Sequence, residues 1–224
     1  TKPTAWNSST ATTWTSSATY ADGTYYVWAK DKLGNVSSYK TIVLDTMYVA
    51  KGKTLKLTPT KTSSSYTLGW TTSNSSGASI SATSGNSITV TGKAAGTYRV
   101  QAVESTTGKT TAYTIQVTSL TSGGNVSVLE DDTVTLTAAT KSSNAGTVRY
   151  KLTSGSSYAS FNTSTREVTG KEAGANSKTA VVTATESNGG ATCTYTITVK
   201  VWNGSGTSSS PYQISNLRDI KKLS

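Results

Sequence analysis

The chain has 224 residues, with 21 lysines and arginines against 11 acids and no histidine, giving a net charge of +10. Without histidine there is no imidazole base, no histidine metal ligand and no Ser/His/Asp triad, and the single Cys193 excludes an intrachain disulfide. No apolar run is long enough to span a membrane as a helix, and the basic residues are scattered, which argues against nucleic acid as a partner.

The closest approach to a basic cluster is Lys51, Lys53 and Lys56, with Lys221-Lys222 near the end. Lysines spread this way solvate outer strand faces and protect sheet edges; local attraction to acidic wall polymers is the other reading. Thr and Ser dominate, and short alternating runs are separated by Gly, Asn and Ser. That pattern predicts an all-β chain of small sandwiches.

Residues 1–45 are too short for a whole sandwich. They hold Trp6, a strand following Asp22-Gly23, a loop over residues 31–35 and a return strand ending near Asp45. The motif Gly23-Thr24-Tyr25 recurs as Gly96-Thr97-Tyr98, and Thr41-Ile42 as Thr114-Ile115. Residues 1–45 are therefore expected to be the C-terminal half of a module, its first strands lying outside this segment; an incomplete sheet that borrows a strand from a partner is the alternative. This alignment puts Tyr25, Val27, Ile42 and Leu44 inward and matches Tyr26 and Trp28 to Arg99 and Gln101, on the outward face. Outward Tyr26 and Trp28 are candidate ligand-binding residues, able to stack on sugar rings or pack on a partner; covering a neighbouring module is the alternative.

Residues 46–120 form a second module. The strand around Thr54, Leu55 and Leu57 comes first, then Leu68-Gly69-Trp70, Ile80, and Ile88 with Val90. The hairpin of residues 92–117 ends it; its first strand puts Tyr98, Val100 and Ala102 on one face and Arg99 and Gln101 on the other, and its second puts Tyr113, Ile115 and Val117 on one face and Thr114 and Gln116 on the other. Trp70, on a mid-module strand, is expected in the core.

Residues 121–201 repeat the pattern. Gly92-Lys93 recurs as Gly170-Lys171, Ala102 as Ala184, Glu104 as Glu186, and Tyr113-Thr114-Ile115 as Tyr195-Thr196-Ile197, with a loop insertion around residues 175–178. Val148-Arg149-Tyr150 stands where Leu68-Gly69-Trp70 stood. Cys193 is in phase with Tyr195 and Ile197, which makes it a buried, inert thiol. Glu130-Asp131-Asp132, at the start of this module, is the one acid cluster. Its oxygens are candidate ligands for Ca²⁺, against the plainer reading of a solvated turn. No other cofactor is implied. Residues 202–224 read as a Gly/Ser linker and the start of a following module. Within it, Ser215 or Asn216 caps a short helix carrying Leu217, Ile220 and Leu223 on one face.

The second module resembles the bacterial Ig-like module of group 2. Gly52, the run Trp70-Thr71-Thr72-Ser73-Asn74, Val90-Thr91-Gly92-Lys93, Gly96-Thr97 and Ile115-Gln116-Val117 carry the resemblance. The third module shares its hairpin, while Trp70 and the Thr-Ser-Asn run are lost. The resemblance implies tandem Ig-like sandwiches, the first incomplete, in a large modular bacterial surface or secreted protein. It implies a non-catalytic spacer role, presenting a distal domain. An adhesive or carbohydrate-binding module, or an accessory region of a large extracellular enzyme, are the alternatives. The expected partners are neighbouring modules of the same polypeptide, with cell-wall polymer, host glycan or another copy of the chain as further candidates.

Overall fold

The computed structural model describes residues 20–172, 177–202, 206–214 and 220. The helix cap at Ser215 or Asn216, the centre of the expected insertion and Trp6 lie outside the described residues. The rest is nearly all strand and turn, as the alternation predicts, and it divides into two compact units, Thr1–Thr118 and Ser119–Ser224.

The first unit contains β1 (Gly23–Val27), β2 (Lys40–Ala50), β3 (Thr54–Leu57), β4 (Leu68–Thr72), β5 (Ala78–Ile80), β6 (Ile88–Gly92), β7 (Gly96–Glu104) and β8 (Thr110–Thr118). They make a five-stranded sheet, β1-β2-β8-β7-β4, and a three-stranded sheet, β3-β6-β5. The second unit contains β9 (Leu120–Thr121), β10 (Val126–Leu129), β11 (Thr133–Thr135), β12 (Thr140–Lys141), β13 (Val148–Ser154), β14 (Ala159–Asn162), β15 (Glu167–Gly170), β16 (Lys178–Glu186) and β17 (Thr192–Lys200). Its main sheets are β10-β17-β16-β13 and β11-β15-β14, with a small β9-β12 pair. With β1 and the β9-β12 pair set aside, the two strand orders are identical. Each unit also closes with one parallel contact, β2 on β8 and β10 on β17.

The predicted hairpins are the centre of each core. β7 pairs β8 with Val100 opposite Tyr113, and β16 pairs β17 with Val182 opposite Tyr195. Val100, Ala102, Tyr113, Ile115, Val182, Ala184, Tyr195 and Ile197 are all buried. Tyr98 is only half-buried. Its ring lies against Gly77, where an added Cβ would come within 2.0 Å of the ring. Trp70 is a core residue as expected, 2% exposed. It stacks on Tyr113 at 6.4 Å and donates its indole N–H to the Gly85 carbonyl at 2.8 Å. Cys193 is half-buried against the second core, and burial raises its thiol pKa.

The repeated Gly-Lys has a physical cause. A Cβ on Gly92 would meet Val117 at 2.8 Å and the Ala50 carbonyl at 3.2 Å; one on Gly170 would meet the Leu129 carbonyl at 2.3 Å. In both units this glycine lets its strand pass close to the end of the strand that makes the parallel contact, β2 at Ala50 and β10 at Leu129. The same turn faces it each time. The Gly52 amide donates to the Gly92 carbonyl at 2.7 Å, and the Asp131 amide to the Gly170 carbonyl at 2.9 Å. Gly52 has φ +81 and Asp131 has φ 62, so Asp131 takes the left-handed place that glycine takes in the first unit.

Residues 20–45 differ from the expectation of a separate half-module. β2 runs unbroken across position 45, and β1 and β2 are outer strands of the first unit's larger sheet. The predicted facing reverses for the same reason. Met47 and Val49 face the core, opposite Ile115 and Val117. A continuous strand has one phase, so Thr41, Val43 and Asp45 share that side. Tyr26, opposite Thr41, therefore lies on the core side of the sheet, while Tyr25, Ile42 and Leu44 lie on the outer side.

Candidate binding face on the edge hairpin

β1 and the start of β2 are joined by a loop that organises itself around one carboxylate. Asp31 accepts from the Leu33 amide at 2.9 Å, the Asn35 amide at 2.8 Å and the Asn35 side-chain amide at 2.7 Å. Gly34, at φ +92, turns the chain within it. The Asn35 hydrogen bonds hold the Asp31 carboxyl below its ordinary pKa. The loop closes with a Lys30–Val36 bridge and with the Ala29 amide donating to Ser37 Oγ at 2.9 Å.

This closure brings three aromatic rings together. Tyr26 lies 6.3 Å from Trp28 and 5.1 Å from Tyr39, and Trp28 lies 5.6 Å from Tyr39. Tyr26 is 52% exposed and Tyr39 53%; Trp28 is half-buried. The Tyr26 and Tyr39 rings meet edge to face at 88°, the geometry that opposite quadrupoles favour. The predicted pair Tyr26 and Trp28 thus belongs to a trio. Sequence alternation missed Tyr39, because only the register of β1 on β2 places it beside Trp28. The legible signal was the short Asp-to-Asn loop, which forces an early return of the chain.

Farther along the same face of β2, Asp45 and Met47 join Lys56, Leu57, Thr58 and Tyr113 around an open hollow of about 340 Å³. Burial, with the nearby Asp45 charge, pushes the Tyr113 phenol up to about 12. The aromatic trio and this hollow offer apolar ring faces, a carboxylate, an ammonium and hydroxyls.

The acidic run does not assemble. Glu130 is buried, while Asp131 and Asp132 are exposed on the turn. Among the described residues no three acidic, Cys or His side chains come together to hold a metal ion. Successive residues of a tight turn point apart, and the backbone of Asp131 is committed to Gly170.

Two buried carboxylates that sequence marked only as a repeat prove to be matched structural parts. Glu104 is 2% exposed and accepts from the Thr62 amide and the Thr107 hydroxyl, each at 2.5 Å. Glu186 is 1% exposed and accepts from the amides of Gly146 at 2.8 Å, Asn188 at 2.8 Å and Ala191 at 2.9 Å. Each ties the turn after its own strand to a loop distant in sequence.

No curated protein matches the sequence. Among solved structures, the chain is similar to Drosophila N-cadherin EC1–3 (13% identity, 70% of this chain, 63% of that one, TM-score 0.27). It is also similar to protocadherin gamma B7 cadherin domains 1–4 (10% identity, 80% and 57%, TM-score 0.28) and to Drosophila OTK extracellular domains 3–5 (10% identity, 80% and 70%, TM-score 0.33). The chain spans less than two thirds of the length of the two cadherin structures. Residues 38–115 match the family of the bacterial Ig-like domain (group 2). That stretch begins just before Tyr39, takes in all of β2 and the strands of the first sandwich that follow it, leaves out β1 and stops within β8; over residues 38–115 this chain is similar to the bacterial Ig-like domain of group 2.

Proposed function

We propose that this chain is a non-catalytic structural segment of an extracellular bacterial surface protein, in which Ig-like modules hold a distal functional domain away from the surface. The observation that supports this most is the recurrence of one build in both units: the same strand order, a separate core in each, and the same carboxylate tie at Glu104 and Glu186. A repeated scaffold with its loops tied down suits a spacer that must resist extension and proteolysis. Its neighbours in this role are further modules of the same polypeptide. Antibodies raised against the chain should stain intact cells of the bacterium that makes it. Replacing the segment in its parent by two unrelated Ig-like modules of equal length should preserve the distal domain's activity. Loss of that activity in the replacement would sink the spacer reading.

The exposed trio of Tyr26, Trp28 and Tyr39 favours one second reading, an adhesive module for glycans. Aromatic faces stack on sugar rings. A glycan array probed with the chain should then give signals that Trp28→Ala removes; an array without signal retires this second reading.

A further inference from the structure

A sheet edge is a row of unpaired backbone donors and acceptors, and proteins guard it with charge, proline, bulges, short length or a cover. Three edge strands of five residues or more occur among the described residues: β1, β4 and β13. β4 is covered: its Trp70 amide donates to the Thr83 carbonyl at 2.8 Å, the Gly85 amide donates to Leu68, and Gly69 bridges Ser84. β13 carries Arg149 and Lys151 and has a register shift between Leu152 and Ser154. Among the described residues β1, GTYYV, has no charge, proline or bulge and no covering strand. Its pairing with β2 is regular throughout, its outer side meets no strand among the described residues, and the chain is uncharged from Gly23 to Ala29. Tyr26, Val27 and Tyr39 are among the large apolar residues that this hairpin exposes.

We propose that the outer edge of β1 pairs antiparallel with β1 of a second copy of this chain, joining two five-stranded sheets about a two-fold axis through Tyr26. An isologous contact needs a strand complementary to itself, and this one is. With Tyr26 opposite Tyr26 of the second copy, Tyr25 meets Val27 and Thr24 meets Trp28, which are aromatic and β-branched cross-strand pairs of the favourable kind. Just beyond the ends of β1, the same register sets Asp22, whose carboxylate also accepts from the Thr46 hydroxyl at 2.8 Å, opposite Lys30 of the second copy, and Lys30 opposite its Asp22. Charge is therefore complementary at this edge, although the chain as a whole is strongly basic.

Sedimentation equilibrium of the whole chain over a wide concentration range tests the pairing. The expected result is a mass rising from 23.3 kDa toward twice that value. Val27→Lys, which places a charge on the edge strand, should abolish the rise. Asp22→Lys should weaken association by about tenfold, because it sets like charges opposite each other. The double variant Asp22→Lys with Lys30→Asp should restore it. Both charge positions are at the surface, so these variants report association even if Val27→Lys perturbs folding. A wild-type chain that stays monomeric throughout, a dimer indifferent to the charge at position 22, or a double variant no better than Asp22→Lys alone would each overturn the proposal.

Discussion

The Glu186 carboxylate accepts a hydrogen bond from the Gly146 amide at 2.8 Å, joining two loops that are 40 residues apart in sequence. The same carboxylate holds the Asn188 and Ala191 amides. Three N–H donors converge on a group that is nearly out of water, and only a carboxylate can accept from all three without offering a donor in return. Glu186→Gln should place an amide NH₂ against at least one of these donors and cost about 2 kcal/mol or more. Urea unfolding of the second unit checks this; an unchanged midpoint would mean that the loops are held by something else.

Glu104 carries the corresponding tie in the first unit, and its titration makes stability depend on pH. Burial raises its pKa, but the hydrogen bonds from Thr107 and Thr62, with the Lys109 charge, outweigh burial, so the carboxyl lies below its ordinary value of 4.5. The folded-state pKa is depressed relative to the unfolded chain. Its contribution is therefore fully present above 4.5 and disappears as pH falls through the lowered folded value. Melting temperature of the first unit should drop over this acid range. Glu104→Gln should melt lower at neutral pH and show a shallower drop.

Asp131 and Gly52 hold the same left-handed turn position, one with a side chain and one without. Asp131→Gly should leave the melt of the second unit unchanged or raise it. Asp131→Val and Gly52→Val should each cost about 1–2 kcal/mol, since a β-branched side chain crowds the backbone there. If Asp131→Gly destabilises the unit, the carboxylate itself has a role on the turn.

Gly170 lies where an added Cβ would stand 2.3 Å from the Leu129 carbonyl. Gly170→Ala should push the end of β10 outward, at a cost of about 1–3 kcal/mol. Gly92→Ala should do likewise in the first unit, where the obstacles are Val117 and Ala50. Thermal melts of both variants decide the point; a neutral pair would show that this contact is loose.

Tyr26, on β1, and Tyr39, just before β2, meet edge to face. A double-mutant cycle with Tyr26→Ala and Tyr39→Ala should return a coupling of about 0.5–1.5 kcal/mol. A coupling near zero would mean that the rings touch without stabilising the hairpin.

Much of this was already present in the linear order of residues. Alternation at Tyr98, Val100, Ala102 and at Tyr113, Ile115, Val117 determined strands and their buried side, because a strand has only two faces and one must be apolar. Recurrence of Gly92-Lys93 and Glu104 at Gly170-Lys171 and Glu186 marked two copies of one scaffold. What local pattern could not determine was anything fixed by pairing between distant strands. The phase of β2 is set by Met47 and Val49 against β8, and that phase put Tyr26 and Trp28 on the opposite side of the sheet from the one alignment had assigned. Tyr39 entered the aromatic trio only through the register of β1 on β2. Glu130, Asp131 and Asp132 are neighbours in sequence, yet Glu130 is buried while Asp131 and Asp132 are exposed, a difference set by how the turn sits against the sandwich. Composition and period are local properties and survive in a string of letters; register, facing and convergence depend on which strands meet, and only the tertiary structure decides that.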